Sequence, residues 1–254
     1  YTGEEVALKL TKQAGVAYQT SAELREVLLQ NCLEHDNIVK IKDVVYEAVS
    51  LVCSPRHGGG QRQLGVVMEI MRGGELFDEV MSDGVFTEDK ARGYFRDILF
   101  AMCYCHGKEV CHRDLKLENL LLTDDKRSCK VADFGLAKNV TAESARTVIG
   151  TAKYVSPEVL SGAEYDGFKA DIWSCGVCLY CMVECRFPFD EPGNGGVGEH
   201  GQHRATRQNL RLMKQLMHAQ YDLKRDYSPE FVDFLSRLLT TDVNARYTAA
   251  EALV

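Results

Sequence analysis

Apolar residues recur along this chain with two different periods, and the change of period divides it. Val6-Ala7-Leu8-Lys9 is a short β-type stretch, and Ser21 to Glu34 follows with Leu24, Val27, Leu28 and Cys32 at helical spacing. Strand-like runs then occupy Ile38 to Val52 and Leu64 to Met71, the second ending at the turn pair Gly73-Gly74. Between them, Ser54 to Gln63 carries glycines and polar residues that oppose regular structure, so a strand-to-strand loop is expected. From Thr87 onward the period becomes helical: Ala91, Phe95, Ile98, Leu99, Met102 and Cys105 fall on one stripe. Ala170 to Glu184, Leu210 to Met217 and Glu230 to Leu239 are further helical stretches. The pattern predicts an α+β chain, sheet-rich to about Ile70 and mainly helical beyond, without internal repeats.

Composition changes this picture little. With 45% hydrophobic residues the chain can bury a large core, and its net charge of −7 argues against a nucleic-acid-binding surface and favours basic partners. Among ten cysteines, Cys175, Cys178, Cys181 and Cys185 crowd one segment. Their spacing of three and four along an apolar helix makes a packed stripe, not a tetrahedral zinc cage. That run is also too short and interrupted to span a bilayer, so no membrane span is expected. A second glycine-rich loop, Pro192 to Arg207, holds His200 and His203, which we read as incidental. No secretory signal is recognised, and an intracellular, cytoplasmic location is expected, with the nucleus as an alternative.

The chemistry concentrates in His112-Arg113-Asp114-Leu115-Lys116-Leu117-Glu118-Asn119 and in Asp133-Phe134-Gly135, which begins fourteen residues after Asn119. Phosphoryl transfer from ATP needs a carboxylate facing the nucleophilic hydroxyl and a cation neutralising phosphate charge. Asp114 and Lys116 supply these. Mg²⁺ takes hard oxygen ligands and bridges phosphates, a role for Asp133 and the amide oxygen of Asn119. The set resembles the eukaryotic protein kinases, over nearly the whole chain.

That resemblance implies a bilobal kinase domain over residues 1–254, with a partial small lobe at 1–70, a hinge near 69–72 and a large lobe at 73–254. It implies ATP and Mg²⁺ as cofactors and serine or threonine hydroxyls of proteins as substrates. Lys9 matches the lysine that holds the α- and β-phosphates, and Glu26 its helical partner, with Glu23 as the alternative. Met68, Glu69, Ile70 and Met71 match the gatekeeper and hinge, and Ala7 and Leu121 the apolar faces around adenine. Asp171 and Trp173 match the helix start that braces the catalytic loop, and Glu158 of Ser156-Pro157-Glu158 is expected to pair with Arg246. Thr147 occupies the activating phosphosite, with Arg113 and Lys138 as its receivers and an upstream kinase as its writer. Thr151 matches the threonine that contacts the catalytic aspartate in serine/threonine kinases. Glu118 is assigned to the substrate side. Gly73 to Asp78, Arg186 to Asp190 and Asp242 to Arg246 look most like the calcium/calmodulin-dependent and AMP-activated group, in which Glu75 meets an arginine three residues before the acceptor. Cys181 stands where some basophilic kinases carry a second acid, so one strong basic determinant is expected.

Two departures stand out. Only eight residues precede Lys9, so the glycine-rich loop and the first two strands are expected to be missing. Gln30 falls one helical turn after Glu26, where the family has an apolar residue stacking toward the phenylalanine of Asp-Phe-Gly, and a polar group there is expected to loosen the active arrangement. A non-catalytic kinase-like interaction domain and an inactive truncated kinase are the alternatives.

Overall fold

The computed structural model describes residues 3–10, 29–49, 62–135, 137–139, 153–161, 164–189 and 216–254. Among the described residues, three strands build the small lobe: β1 (Ala7–Leu10), β2 (Ile41–Val49) and β3 (Arg62–Met68), antiparallel in the order β1-β3-β2. Val66 of the central strand lies opposite Lys9 on one side and Val44 on the other. Val66 and Ile41 are buried, with Val44 and Met68 packed against them. Alternation therefore turns one face of this sheet inward and leaves Leu8 outward, 54% exposed.

The strands differ from expectation at their ends. Ile38 and Val39 are not part of β2, because this stretch bonds to the large lobe instead: Val39 N–H donates to the Val131 carbonyl at 2.9 Å and Val131 N–H to that of Asn37 at 2.8 Å. An apolar run has no local signal for which sheet will receive it. The third strand begins two residues before Leu64 and ends at Met68, so Glu69 to Met71 form the connection between lobes. Of the helix expected over Ser21 to Glu34, the described part is helical at residues 29–31, and of Leu210 to Met217 only residues 216–217 are described, in helical conformation.

The large lobe packs α1 (Leu76–Asp83), α2 (Glu88–Gly107), α3 (Pro157–Leu160), α4 (Gly167–Glu184) and α5 (Pro229–Leu238) around the short strands β4 (Val110–Cys111), β5 (Leu120–Leu122), β6 (Cys129–Val131) and β7 (Lys138–Asn139). Helix α2 starts where Thr87 Oγ1 accepts from the Lys90 amide, with Glu88 and Asp89 in its first turn, where carboxylates complement the helix dipole. Its expected stripe from Ala91 to Cys105 is buried. Helix α4 begins three residues before Ala170, because Asp166 caps it by accepting from the amides of Phe168 and Lys169. It is buried on nearly all sides and forms the axis of the core. Gly176 lets α5 approach: a Cβ there would lie 2.9 Å from Leu238 Cβ. Cys175, Cys178 and Cys181 are buried in this packing, and burial pushes their thiols well up. Among the described residues no cluster of metal-ligating side chains occurs, and no helix is long and apolar enough to cross a membrane.

Candidate active site

One buried carboxylate shapes the catalytic loop. Asp171, in the first turns of α4, is 1% exposed and accepts from the backbone amides of His112 and Arg113, both at 2.8 Å, while His106 Nε2 lies 3.0 Å from the same group. These bonds hold Arg113 at φ 67°, a left-handed conformation that costs a non-glycine residue about 1–3 kcal/mol and persists only where the surroundings over-determine it. His112 is fully buried. Its Nδ1 accepts from the Asp114 amide at 3.3 Å, so Nε2 carries the proton and donates to the Ala132 carbonyl at 3.0 Å. Its ring lies 4.8 Å, centroid to centroid, from that of Phe134, so the two motifs identified in the sequence pack on each other.

Asp114 projects from this loop, with Lys116 Nζ 2.8 Å from its Oδ2. Asn119, at the end of a 3₁₀ turn (Leu117–Asn119), donates its amide to the Asp114 carbonyl at 2.9 Å, which leaves the amide oxygen to meet a cation. Ala132 N–H reaches the Asn119 carbonyl at 2.8 Å and brings Asp133 alongside. Asp133 has φ 61° and accepts from Lys9 Nζ at 2.8 Å and from the Gly135 amide at 3.3 Å. Burial opposes its ionisation. The Lys9 hydrogen bond and charge outweigh that, and hold the carboxyl below the usual carboxylate range. Two oxygen donors, Asn119 and Asp133, suit Mg²⁺, which commonly takes one or two protein ligands and completes its shell with phosphate and water.

Lys9, Gln30, Val66, Met68, Leu121 and Asp133 help line a cavity of about 290 Å³ between the lobes. Ala7 and Leu121 also wall it, from the two lobes, as the adenine faces require. Glu69 lines the cavity with its carboxylate already engaged. Its carboxylate meets Lys130 Nζ at 2.9 Å and the Lys40 amide at 2.8 Å, and its own N–H donates to the Lys40 carbonyl at 3.0 Å. The carbonyl is what it has left for a ligand, with Met71 two residues on in the same wall.

Glu75 and Glu118 are the acids expected to meet the substrate. Glu75 is exposed at the N-cap of α1, makes no capping bond, and forms a backbone bridge with Leu121 at the cavity. Glu118 Oε2 accepts from the Tyr154 hydroxyl at 3.1 Å. Glu158 pairs with Arg246 as expected, through Nη1 at 2.5 Å and Nη2 at 3.1 Å, beneath the Trp173 ring. Glu26, Glu23, Thr147, Thr151 and Asp190 lie outside the described residues, as do His200 and His203, and Lys138 is described only as backbone, paired with Cys111. Sequence reasoning passed over His106, Lys130 and Tyr154. Each meets its partner across 36 to 65 positions of chain, a distance that no local motif spans.

The decisive comparison is with family models: that of the protein kinase domain matches residues 1–254. The chain belongs to the protein kinase family. Similar proteins include serine/threonine-protein kinase SAPK3 of Oryza sativa subsp. indica, 37% identical over 232 residues that cover 89% of this chain and 62% of that protein. Serine/threonine-protein kinase SRK2G of Arabidopsis thaliana is 36% identical over 255 residues, 98% of this chain and 65% of its own length. SAPK9 of Oryza sativa subsp. japonica is 36% identical over 232 residues, 89% of this chain and 57% of its own. The kinase chain thus spans less than two thirds of these relatives.

Proposed function

We propose that this kinase domain transfers the γ-phosphate of ATP to serine or threonine hydroxyls of protein substrates. The observation that carries the reading is the convergence on one cavity wall of Asp133, ion-paired to Lys9, with Asn119, bonded to Asp114. Asp114 orients the hydroxyl and accepts its proton, and Lys116 neutralises charge developing on the transferred phosphoryl group. Lys9 holds the nucleotide phosphates. Asn119 and Asp133 would hold Mg²⁺, which when bound would screen the charge of the phosphates. The non-catalytic alternative loses ground, because Lys9, Asp114, Asn119 and Asp133 are all present in the chain.

The finer reading is a kinase of the calcium/calmodulin-dependent and AMP-activated type, acting in the cytoplasm, switched on by phosphorylation of Thr147 by an upstream kinase, and selecting a basic residue three before the acceptor through Glu75. Glu75's exposure, and its lack of an ion pair among the described residues, support that selection. The test is to incubate the full-length protein with Mg·ATP and peptides that carry serine, threonine or tyrosine, with or without the upstream arginine. Phosphoserine and phosphothreonine are expected, and Glu75→Ala should lower use of the arginine peptides selectively. Phosphotyrosine alone would overturn the substrate class, and uniform loss across peptides would overturn the role of Glu75.

A further inference from the structure

Gln30 is 4% exposed, and a buried amide is costly unless its hydrogen bonds are met. It is not adrift, as its polarity suggested. Gln30 Nε2 donates to the Val39 carbonyl at 3.0 Å, and Val39 is itself 2% exposed. Val39 N–H continues to the Val131 carbonyl at 2.9 Å at the end of β6, two residues before Asp133. Ala132, between them, donates to the Asn119 carbonyl at 2.8 Å. A hydrogen-bonded line therefore runs from the helical turn at residues 29–31, through Val39, to the end of β6 next to Asp133 and on to the Asn119 backbone. The Gln30 side chain also walls the cavity beside Lys9 and Asp133.

We propose that Gln30 is a positioning residue for the metal ligands, holding the end of β6, and through it Asp133 and Asn119, in register with the small lobe. The proposal rests on the kinase reading above. A methionine would fill the same space but leave the buried Val39 carbonyl without its donor, and a glutamate would set an acceptor against it. Either change frees the strand end that carries Asp133. Loss should therefore appear in the part of nucleotide binding that depends on metal, more than in the part that depends on cavity shape.

Full-length wild type, Gln30→Met and Gln30→Glu are compared by calorimetry for ATP with and without Mg²⁺, and by amide hydrogen exchange of Val39, Val131 and Ala132 in the nucleotide-free protein. Both variants should lose about threefold to tenfold of the Mg²⁺-dependent gain in affinity, the usual worth of one such hydrogen bond, and exchange these amides faster. Gln30→Met matching the wild type in both measurements, or binding Mg·ATP more tightly, would overturn the inference, leaving Gln30 as filler. Equal loss with and without Mg²⁺ would overturn it too, by showing general damage to the cavity. Wild type without any Mg²⁺-dependent gain would instead overturn the kinase reading, and the inference with it.

Discussion

Asp133 sits under two opposed influences, and the balance between them can be measured. Burial raises its pKa while Lys9 and the Gly135 amide lower it, with the lowering dominant. A carboxyl depressed in the folded state stabilises the fold above its unfolded pKa, and that contribution is lost as pH falls through the lower, folded value. Carboxyl ¹³C titration should place the midpoint of Asp133 below that of an ordinary aspartate. Lys9→Met removes the main lowering partner and leaves the burial, so the midpoint should rise. An unchanged midpoint in that variant would mean that Lys9 does not hold Asp133. At this scale the sequence showed which residue types the chemistry needs, since Asp114, Lys116, Asn119 and Asp133 sit in two short motifs. It did not show their partners. His106 on Asp171, Lys130 on Glu69 and Val39 on Gln30 are tertiary contacts, and Gln30 was read as loosening because the carbonyl that receives its amide is nine residues away and outside the helix.

Elements were readable wherever one face is buried and the other is wet. The stripe of α2 fixes its period, and its Thr87 cap marks its start. Strand ends were less readable, as Ile38 and Val39 show by pairing with β6 instead of joining β2. Two contacts between elements carry measurable stability. Arg246 is buried and satisfied by Glu158 and by the carbonyls of Lys169 and Thr240, so Glu158→Ala leaves a buried guanidinium without its counter-charge. Denaturant unfolding should show a loss of about 3–5 kcal/mol. Less than about 1 kcal/mol would place the pair with ordinary surface bridges. Gly176→Ala should cost about 1–3 kcal/mol by pushing α5 away from α4, since the added methyl meets Leu238 and Leu239. A neutral result would mean that the helices part at no cost.

In the whole molecule both lobes contribute to the cavity around Lys9 and Asp133. The small lobe brings Lys9 and Ala7, and the large lobe brings Asn119, Leu121 and Asp133, with Asp114 bonded to Asn119 beside it. On the proposed reading a phosphate on Thr147 is received by Arg113, the residue before Asp114, whose backbone amide bonds to Asp171. Phosphorylated full-length protein should therefore turn over faster than its Thr147→Ala variant, and equal rates would remove activation-segment control. We propose a division of labour between two carboxylates, with Asp114 acting on the hydroxyl and Asp133 on the metal-bound nucleotide. Parallel measurement of Mg·ATP affinity and peptide turnover in full-length Asp114→Asn and Asp133→Ala tests it most directly. Asp114→Asn should keep nucleotide affinity near wild type while turnover falls by about 10²–10⁴, and Asp133→Ala should lose both. Wild-type turnover in Asp114→Asn, or undiminished Mg·ATP binding in Asp133→Ala, would contradict it.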